Sequence, residues 1–165
     1  SFGKATKLTS PNPLVLICTE KPDGSMNFAP VSFVSFLSFN PPMVGFAMGK
    51  SSYSGQRVRE TGKVILAVPG KSLSNVVMSC ASASGRNTDK VGKFNIELVE
   101  VPGSSIKIPI YSKLALNASL NQMAEVGDHY FYICNLEKMY SDDGKEALFA
   151  WDGYSRVVPA IEMQS

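Results

Sequence analysis

The chain has 165 residues, of which 44% are hydrophobic and 18% charged, and its formal net charge is +2. That length suffices for one domain with a real core, read here as 1–165. The weak charge offers no nucleic-acid or membrane surface, and no run of about twenty apolar residues is present to span a bilayer.

In chain order, Ser1 to Ser10 has no apolar centre, so it does not read as a signal peptide. Pro13 to Thr19 is continuously apolar, the pattern of a strand covered on both faces. Lys21-Pro22-Asp23-Gly24 is a turn, because proline presets one dihedral and glycine accepts positive φ. Met26 to Phe39 is a long apolar run with serines at 32, 35 and 38 and phenylalanines at 33, 36 and 39. A three-residue period matches neither strand nor helix, but β-branched and aromatic content favours strand. Pro30 within it implies an edge position or a bulge. Pro41-Pro42 breaks the run, and Met43 to Met48 reads as the return strand.

Ser51 or Ser52 can cap a short helix that runs to about Thr61 and stops at Gly62. Lys63 to Val68 is another buried strand, ended by Pro69-Gly70. Ser72 to Ala83 reads as a helix with Leu73, Val76, Val77 and Cys80 on one face. Ser84 to Lys93 is polar and reads as a loop. Strand character returns from Phe94, with Ile106 to Ala124 as one long strand bent at Pro109. Val126-Gly127-Asp128 turns into His129 to Tyr140, and Ser141 to Gly144 turns into Ala147 to Trp151. The expected fold is mainly β: an antiparallel split β-barrel with two or three short helices. Cys18, Cys80 and Cys134 are odd in number and widely spaced, which reads as three reduced thiols in a cytoplasmic protein.

Four constellations carry chemistry, and each has a plainer reading. Gly49-Lys50-Ser51-Ser52-Tyr53-Ser54 leaves a strand and opens a helix. Free N–H groups, the positive helix end, a lysine and hydroxyls can receive a phosphate there; the same residues also describe an ordinary serine-capped helix. It is not a Walker A loop. Asn27 to Ser32 offers an amide and backbone groups on an interrupted strand, with Phe33 as a flat wall; alternatively the phenylalanines belong to the core. Asp89-Lys90 places a lysine that either reaches a cofactor or forms a solvated pair. Gly127-Asp128-His129 holds the only histidine, which either donates a proton or bonds locally in its turn. No set of His, Cys and carboxylates has metal-ligand spacing.

The ordered set resembles the flavin reductase-like family, in its flavoredoxin branch. The residues that carry the resemblance are Asn12-Pro13-Leu14-Val15-Leu16-Ile17-Cys18-Thr19, Asn27-Phe28-Ala29-Pro30-Val31-Ser32-Phe33, and Ser38-Phe39-Asn40-Pro41-Pro42-Met43-Val44-Gly45. Lys50-Ser51-Ser52-Tyr53-Ser54, Asp89-Lys90 and Gly127-Asp128-His129 extend it over nearly the whole chain. The resemblance implies an FMN-binding split barrel, usually a homodimer with cofactor sites near the subunit interface. It implies ring contacts from Asn27, Phe28, Ala29, Pro30, Ser32 and Phe33. Gly49, Lys50, Ser51, Ser52 and Ser54 would hold the ribityl phosphate, and Lys90 would reach the cofactor from its loop. Departures are Phe33 where the family often has Trp, Ser54 where Thr is common, and Arg57 where Asn is common. Tyr154 near the ring is a looser correspondence.

The chemistry so implied is the cofactor's. NADH or NADPH reduces the flavin, and the electrons leave to an acceptor, as in a flavin or ferric reductase. The alternative is a non-enzymatic flavoredoxin-like carrier reduced by a protein partner. Haem binding through His129 and pyridoxamine phosphate oxidation are remoter readings, the latter for want of a dense arginine and lysine set. No dinucleotide fingerprint distinguishes NADH from NADPH.

Overall fold

The architecture follows from one topological fact. In the computed structural model, which describes residues 1–165, seven antiparallel strands form a single sheet. They are β1 (Val15–Glu20), β2 (Met26–Val31), β3 (Val34–Phe39), β4 (Pro42–Gly49), β5 (Lys63–Pro69), β8 (Ser112–Val126) and β9 (His129–Ser141). Their order is β2-β1-β5-β8-β9-β4-β3, so β2 and β3 occupy opposite edges. Only Ser32 and Phe33 separate these two strands in sequence. Two residues cannot cross an open seven-stranded sheet, because each residue spans at most about 3.5 Å. The sheet must therefore roll until its edges nearly meet, and it leaves a split between them.

Rolling gives each strand an inside and an outside. Val15 and Ile17 face an interior core with Phe46, Leu66 and Tyr132. Leu16 and Cys18 face an outer core with Phe28, Ile65 and Val77. The unbroken apolar run of β1 is thus explained by burial on both faces. Helix α2 (Tyr53–Thr61) sends Val58 into the interior core. Helix α3 (Ser74–Ala81), preceded by a 3₁₀ turn at Lys71–Leu73, covers the outer face through Val77 and Cys80. β6 (Leu98–Val99) pairs with β7 (Ile108–Pro109), and β10 (Leu148–Trp151) pairs with β11 (Arg156–Pro159).

Four α-helices are present, where two or three were expected. The additions are α1 (Gly3–Leu8) and α4 (Lys90–Lys93). α4 lies inside the stretch read as a loop; the Asp89 carboxylate accepts from the Gly92 N–H and caps it. α1 buries none of its residues, so it carries no apolar stripe to read. The long strand expected from Ile106 is two strands, parted where Tyr111 takes a φ of 72°. The three-residue period of Met26 to Phe39 has a physical source. The run is broken at Ser32-Phe33, and a register shift between Phe36 and Ser38 inserts a bulge. Its phenylalanines are not core: Phe33, Phe36 and Phe39 are 51%, 73% and 97% exposed.

No helix is long and apolar enough to cross a membrane.

Candidate functional site at the barrel split

Pro30 sits opposite Leu16 in the β1–β2 register. Proline has no N–H, so this must be a pair without ladder hydrogen bonds, with its backbone polar groups directed to the free edge. Phe28, two residues earlier, has the same orientation, and its carbonyl accepts from the Lys90 Nζ at 2.6 Å. β2 therefore presents an open backbone edge to the split, as the proline foretold.

Three depressions meet along this edge. One, of 230 Å³, is lined by Pro30, Ser32, Phe33, Met48, Gly49 and His129, among others. A second, of 360 Å³, lies between Phe33 and the α1 residues Ala5 and Thr6. A third, of 380 Å³, is walled by Ala29, Pro30, Cys80 and Lys90. Tyr154 borders all three. A wider hollow of 620 Å³ lies elsewhere, by Lys71, Tyr111 and Lys145. It has a single hydrophobic lining residue, so it offers no apolar wall to a planar ring.

The split gathers much of the expected set and leaves some outside. Pro30, Ser32, Phe33, Gly49 and Ser52 line the first depression, and Ala29 and Lys90 the third. The Ser32 Oγ is buried with no well-formed hydrogen bond and faces the Tyr154 hydroxyl, so it keeps donor and acceptor capacity for a ligand. Phe33 lies 5.5 Å from the His129 ring, tilted by 41°. The His129 Nδ1 is 2.7 Å from the Asp128 carboxylate, the local bond anticipated for a turn histidine. That bond holds the Asp128 carboxyl below its usual range.

Phe28 is fully buried in the outer core, and only its carbonyl reaches the edge. Asn27 is 1% exposed and lies behind the strand. Its Nδ2 donates to the Ser54 Oγ at 2.7 Å, so these two residues bind each other across β2 and α2. Lys50 turns along the β8–β9 hairpin, where it pairs with Glu125 and lies 5.8 Å from the Tyr130 ring centre. The Glu125 carboxylate raises the Lys50 pKa. Arg57 neither faces solvent nor stands free for phosphate. Its Nε donates to the Glu20 carbonyl at 2.8 Å, and its guanidinium bonds Glu60.

Helix α2 begins as its sequence implies. The Ser52 hydroxyl accepts from the Gly55 N–H at 3.1 Å, which leaves the Tyr53 and Ser54 N–H groups without intrahelical acceptors. Ser51 beside them is exposed. Gly62 closes the helix at a φ of 70°. Two cations that sequence reasoning did not single out stand over the Tyr53 ring: Arg86 at 5.2 Å and Lys21 at 6.0 Å. Neither was legible, because both lie in loops far from Tyr53 in sequence. A signal existed in Gly85, where a side-chain Cβ would lie 2.1 Å from the Asn27 Oδ1. Only glycine lets that loop close on β2 and carry Arg86 to the helix.

A rolled seven-stranded sheet with an open edge, an apolar-walled split and a helix N-terminus beside it defines the split-barrel class. The chain belongs to the flavin reductase like domain family, whose model matches residues 8–158. It is 30% identical over 122 residues to an uncharacterized protein of Archaeoglobus fulgidus. That alignment takes in 73% of this chain and 66% of the relative, so the chain spans just under two thirds of it. Among solved structures it is similar to the flavoredoxin of Desulfovibrio vulgaris (Miyazaki F), with a TM-score of 0.82 at 16% identity over 95% of this chain and 91% of that one. The FMN-binding protein from Thermus thermophilus is similar as well, with a TM-score of 0.81 at 18% identity over 96% and 92%. These structural likenesses establish the fold.

Proposed function

We propose that the split binds FMN and that the protein passes electrons from NADH or NADPH through it to an acceptor. The observation that carries the reading is the open β2 edge beside the buried Ser32 hydroxyl, which faces the Tyr154 hydroxyl without a well-formed hydrogen bond. The polar edge of a flavin ring needs such a row of backbone and hydroxyl groups, and its faces need apolar walls. Phe33, Met48 and Tyr154 supply the walls. The α2 N-terminus, with Ser51, Ser52 and the Arg86–Lys21 pair above Tyr53, suits the phosphate. Lys50 joins them only by leaving Glu125.

Bound flavin supplies the redox chemistry itself, as a two-electron acceptor and donor. The chain's own part is to hold the ring's polar edge on β2, to cover it with apolar side chains, and to keep water from part of it. Besides His129, the first depression is lined by the hydroxyls of Ser32, Ser52 and Tyr154 and by no carboxylate, amine or thiol, and this division of labour requires none. The exposed apolar residues of β3, on the sheet's other edge, suit contact with a second copy.

The test is an anaerobic visible spectrum of the protein reconstituted with FMN, before and after NADH and then NADPH. Retained flavin that bleaches supports a nicotinamide-dependent reductase. Retained flavin that stays oxidised, yet bleaches with a low-potential protein donor, replaces it with an electron carrier. Failure to retain FMN overturns the reading.

A further inference from the structure

The flavin reading leaves the second depression, the 360 Å³ groove between α1 and Phe33, without a role. Ser32, Phe33 and Tyr154 line both this groove and the first depression, so a compound held in the groove abuts the occupant of the split. None of the groove's nine lining residues is charged. Phe2 and Phe33 leave at least half of their surface uncovered. The polar groups that α1 contributes are turned onto the helix itself. The Thr6 hydroxyl donates to the Gly3 carbonyl at 2.8 Å, the Thr9 hydroxyl to the Ala5 carbonyl at 3.0 Å, and the Asn12 amide to the Thr6 carbonyl at 2.7 Å. Two hydroxyls are not so engaged. Ser32 is the one given above to the ring edge. The Tyr154 hydroxyl faces Ser32 without a well-formed bond, and burial pushes its pKa up, so it keeps its proton and can donate. The turn that carries Tyr154 is fastened to the segment after α1. The Asp152 N–H donates to the Ser10 hydroxyl at 2.8 Å, and Asn12 bridges to Ala150. Apolar walls, no charge and a free hydroxyl donor suit an uncharged, flat ring that bears a carbonyl. A charged compound would lose water there with no ion to replace it.

We propose that this groove seats a quinone of one or two rings, with a carbonyl on the Tyr154 hydroxyl and the ring between Phe33 and α1, and that such a quinone is the acceptor. The acceptor role rests on the flavin reading given above; the binding rests on the groove's own residues. In the overall reaction NADH or NADPH gives up a hydride, and the quinone gains that hydride and one proton from solvent. The products are the oxidised nicotinamide and a hydroquinone. A quinone takes two electrons, which matches the hydride. Size sets the number of rings: pockets for small ligands run from about 300 to 1,000 Å³, and this one is near the lower end. The anionic pyrophosphate of a nicotinamide dinucleotide meets no cation among the lining residues.

The probe is duroquinone, whose ring carbons are all substituted and do not add to thiols. Its dissociation constant is measured by isothermal titration calorimetry in the oxidised, FMN-loaded protein, beside that of p-xylene, a methylated ring without carbonyls. The variants are Ala5→Trp and Tyr154→Phe. Ala5 lies on a helix that buries none of its residues and borders this groove but not the first or third depression. Ala5→Trp therefore fills the groove alone. It is expected to lower duroquinone affinity at least tenfold with the FMN dissociation constant unchanged. Tyr154→Phe is expected to lower duroquinone affinity about fivefold and to leave p-xylene affinity as it was, a hydrogen bond being lost and the ring wall kept. Should Ala5→Trp fail to fold, the Tyr154→Phe comparison decides. Duroquinone that does not bind the FMN-loaded wild type, or that binds Ala5→Trp equally well, overturns the proposal and leaves flavin binding intact. Displacement of duroquinone by saturating NAD+ also overturns it, by assigning the groove to the nicotinamide. A wild-type protein that retains no FMN overturns the flavin reading and the acceptor role, and the same titrations in flavin-free protein then decide the groove by itself: duroquinone binding that Ala5→Trp removes upholds it, and any other result overturns it.

Discussion

Asn27 and Gly85 meet across the gap between β2 and the loop after α3, and their contact governs where Arg86 stands. The Asn27 side chain is buried and anchored on Ser54, so it cannot swing aside at no cost. Gly85→Ala is therefore expected to destabilise the fold by about 1–3 kcal/mol, as overpacking does, in urea unfolding followed by circular dichroism. An unchanged midpoint would mean that the loop moves freely away from Asn27. The three cysteines give a second expectation at this scale. All are buried; burial pushes the Cys80 thiol to about 11 and the Cys134 thiol to about 12, and holds Cys18 well above its ordinary value. A thiol raised on folding contributes stability that is complete below its unfolded pKa of about 9 and is lost as pH rises through the folded value. Wild-type stability should thus fall more steeply between pH 9 and 11 than that of a Cys80→Ala/Cys134→Ala variant, in parallel urea titrations. Equal slopes would remove the thiols from the alkaline limit. Lys50 is the residue whose type was informative and whose partner was not. A lysine after a strand and before a helix can meet phosphate or a neighbouring carboxylate, and Glu125 lies far away in sequence. Lys50→Ala should weaken FMN retention severalfold in an equilibrium titration if the lysine leaves Glu125 for the phosphate; unchanged affinity would assign it to the hairpin.

Among the elements, α2 was the most legible. Its cap, its stop and its length are local properties, and Ser52 and Gly62 perform the roles their chemistry favours. Ser52→Ala should cost about 1 kcal/mol of stability, read as a lower urea midpoint, and should also loosen the first turn at the mouth of the split. β2 was legible through Pro30, since an imino acid excludes a central place in a sheet. β3 was not. Its serines and phenylalanines fall into a period of three because a two-residue link and a bulge interrupt the alternation. A pattern rule that assumes regular register cannot see either. α1 and α4 were missed for another reason. Each is six residues or fewer, and neither has the amphipathic repeat that a pattern reading requires.

For the whole molecule, the sheet closes around one split, and its β3 edge leaves Phe36, Leu37 and Phe39 exposed. Apolar side chains on an unpaired strand edge invite a second strand or a second copy. If this edge seats a second copy, wild-type protein sediments as a dimer and Phe36→Ser with Phe39→Ser shifts it to monomer in sedimentation velocity, with the barrel's circular dichroism retained. A wild-type monomer at micromolar concentration would remove the dimer from the proposed function.

At this scale the division between chain and fold is clear. The mainly β class, the α2 cap and stop, and the exclusion of Pro30 from a central strand were determined by the sequence alone. Each depends on residues within a few positions of one another, where propensity, turn chemistry and the missing proline N–H act directly. Tertiary structure decided the partners: Asn27 with Ser54, Lys50 with Glu125, Arg57 with Glu20 and Glu60, Arg86 above Tyr53, and Lys90 on the Phe28 carbonyl. Most of these join residues far apart in the chain, and a side chain with several able partners takes the one that the rolled sheet brings within reach.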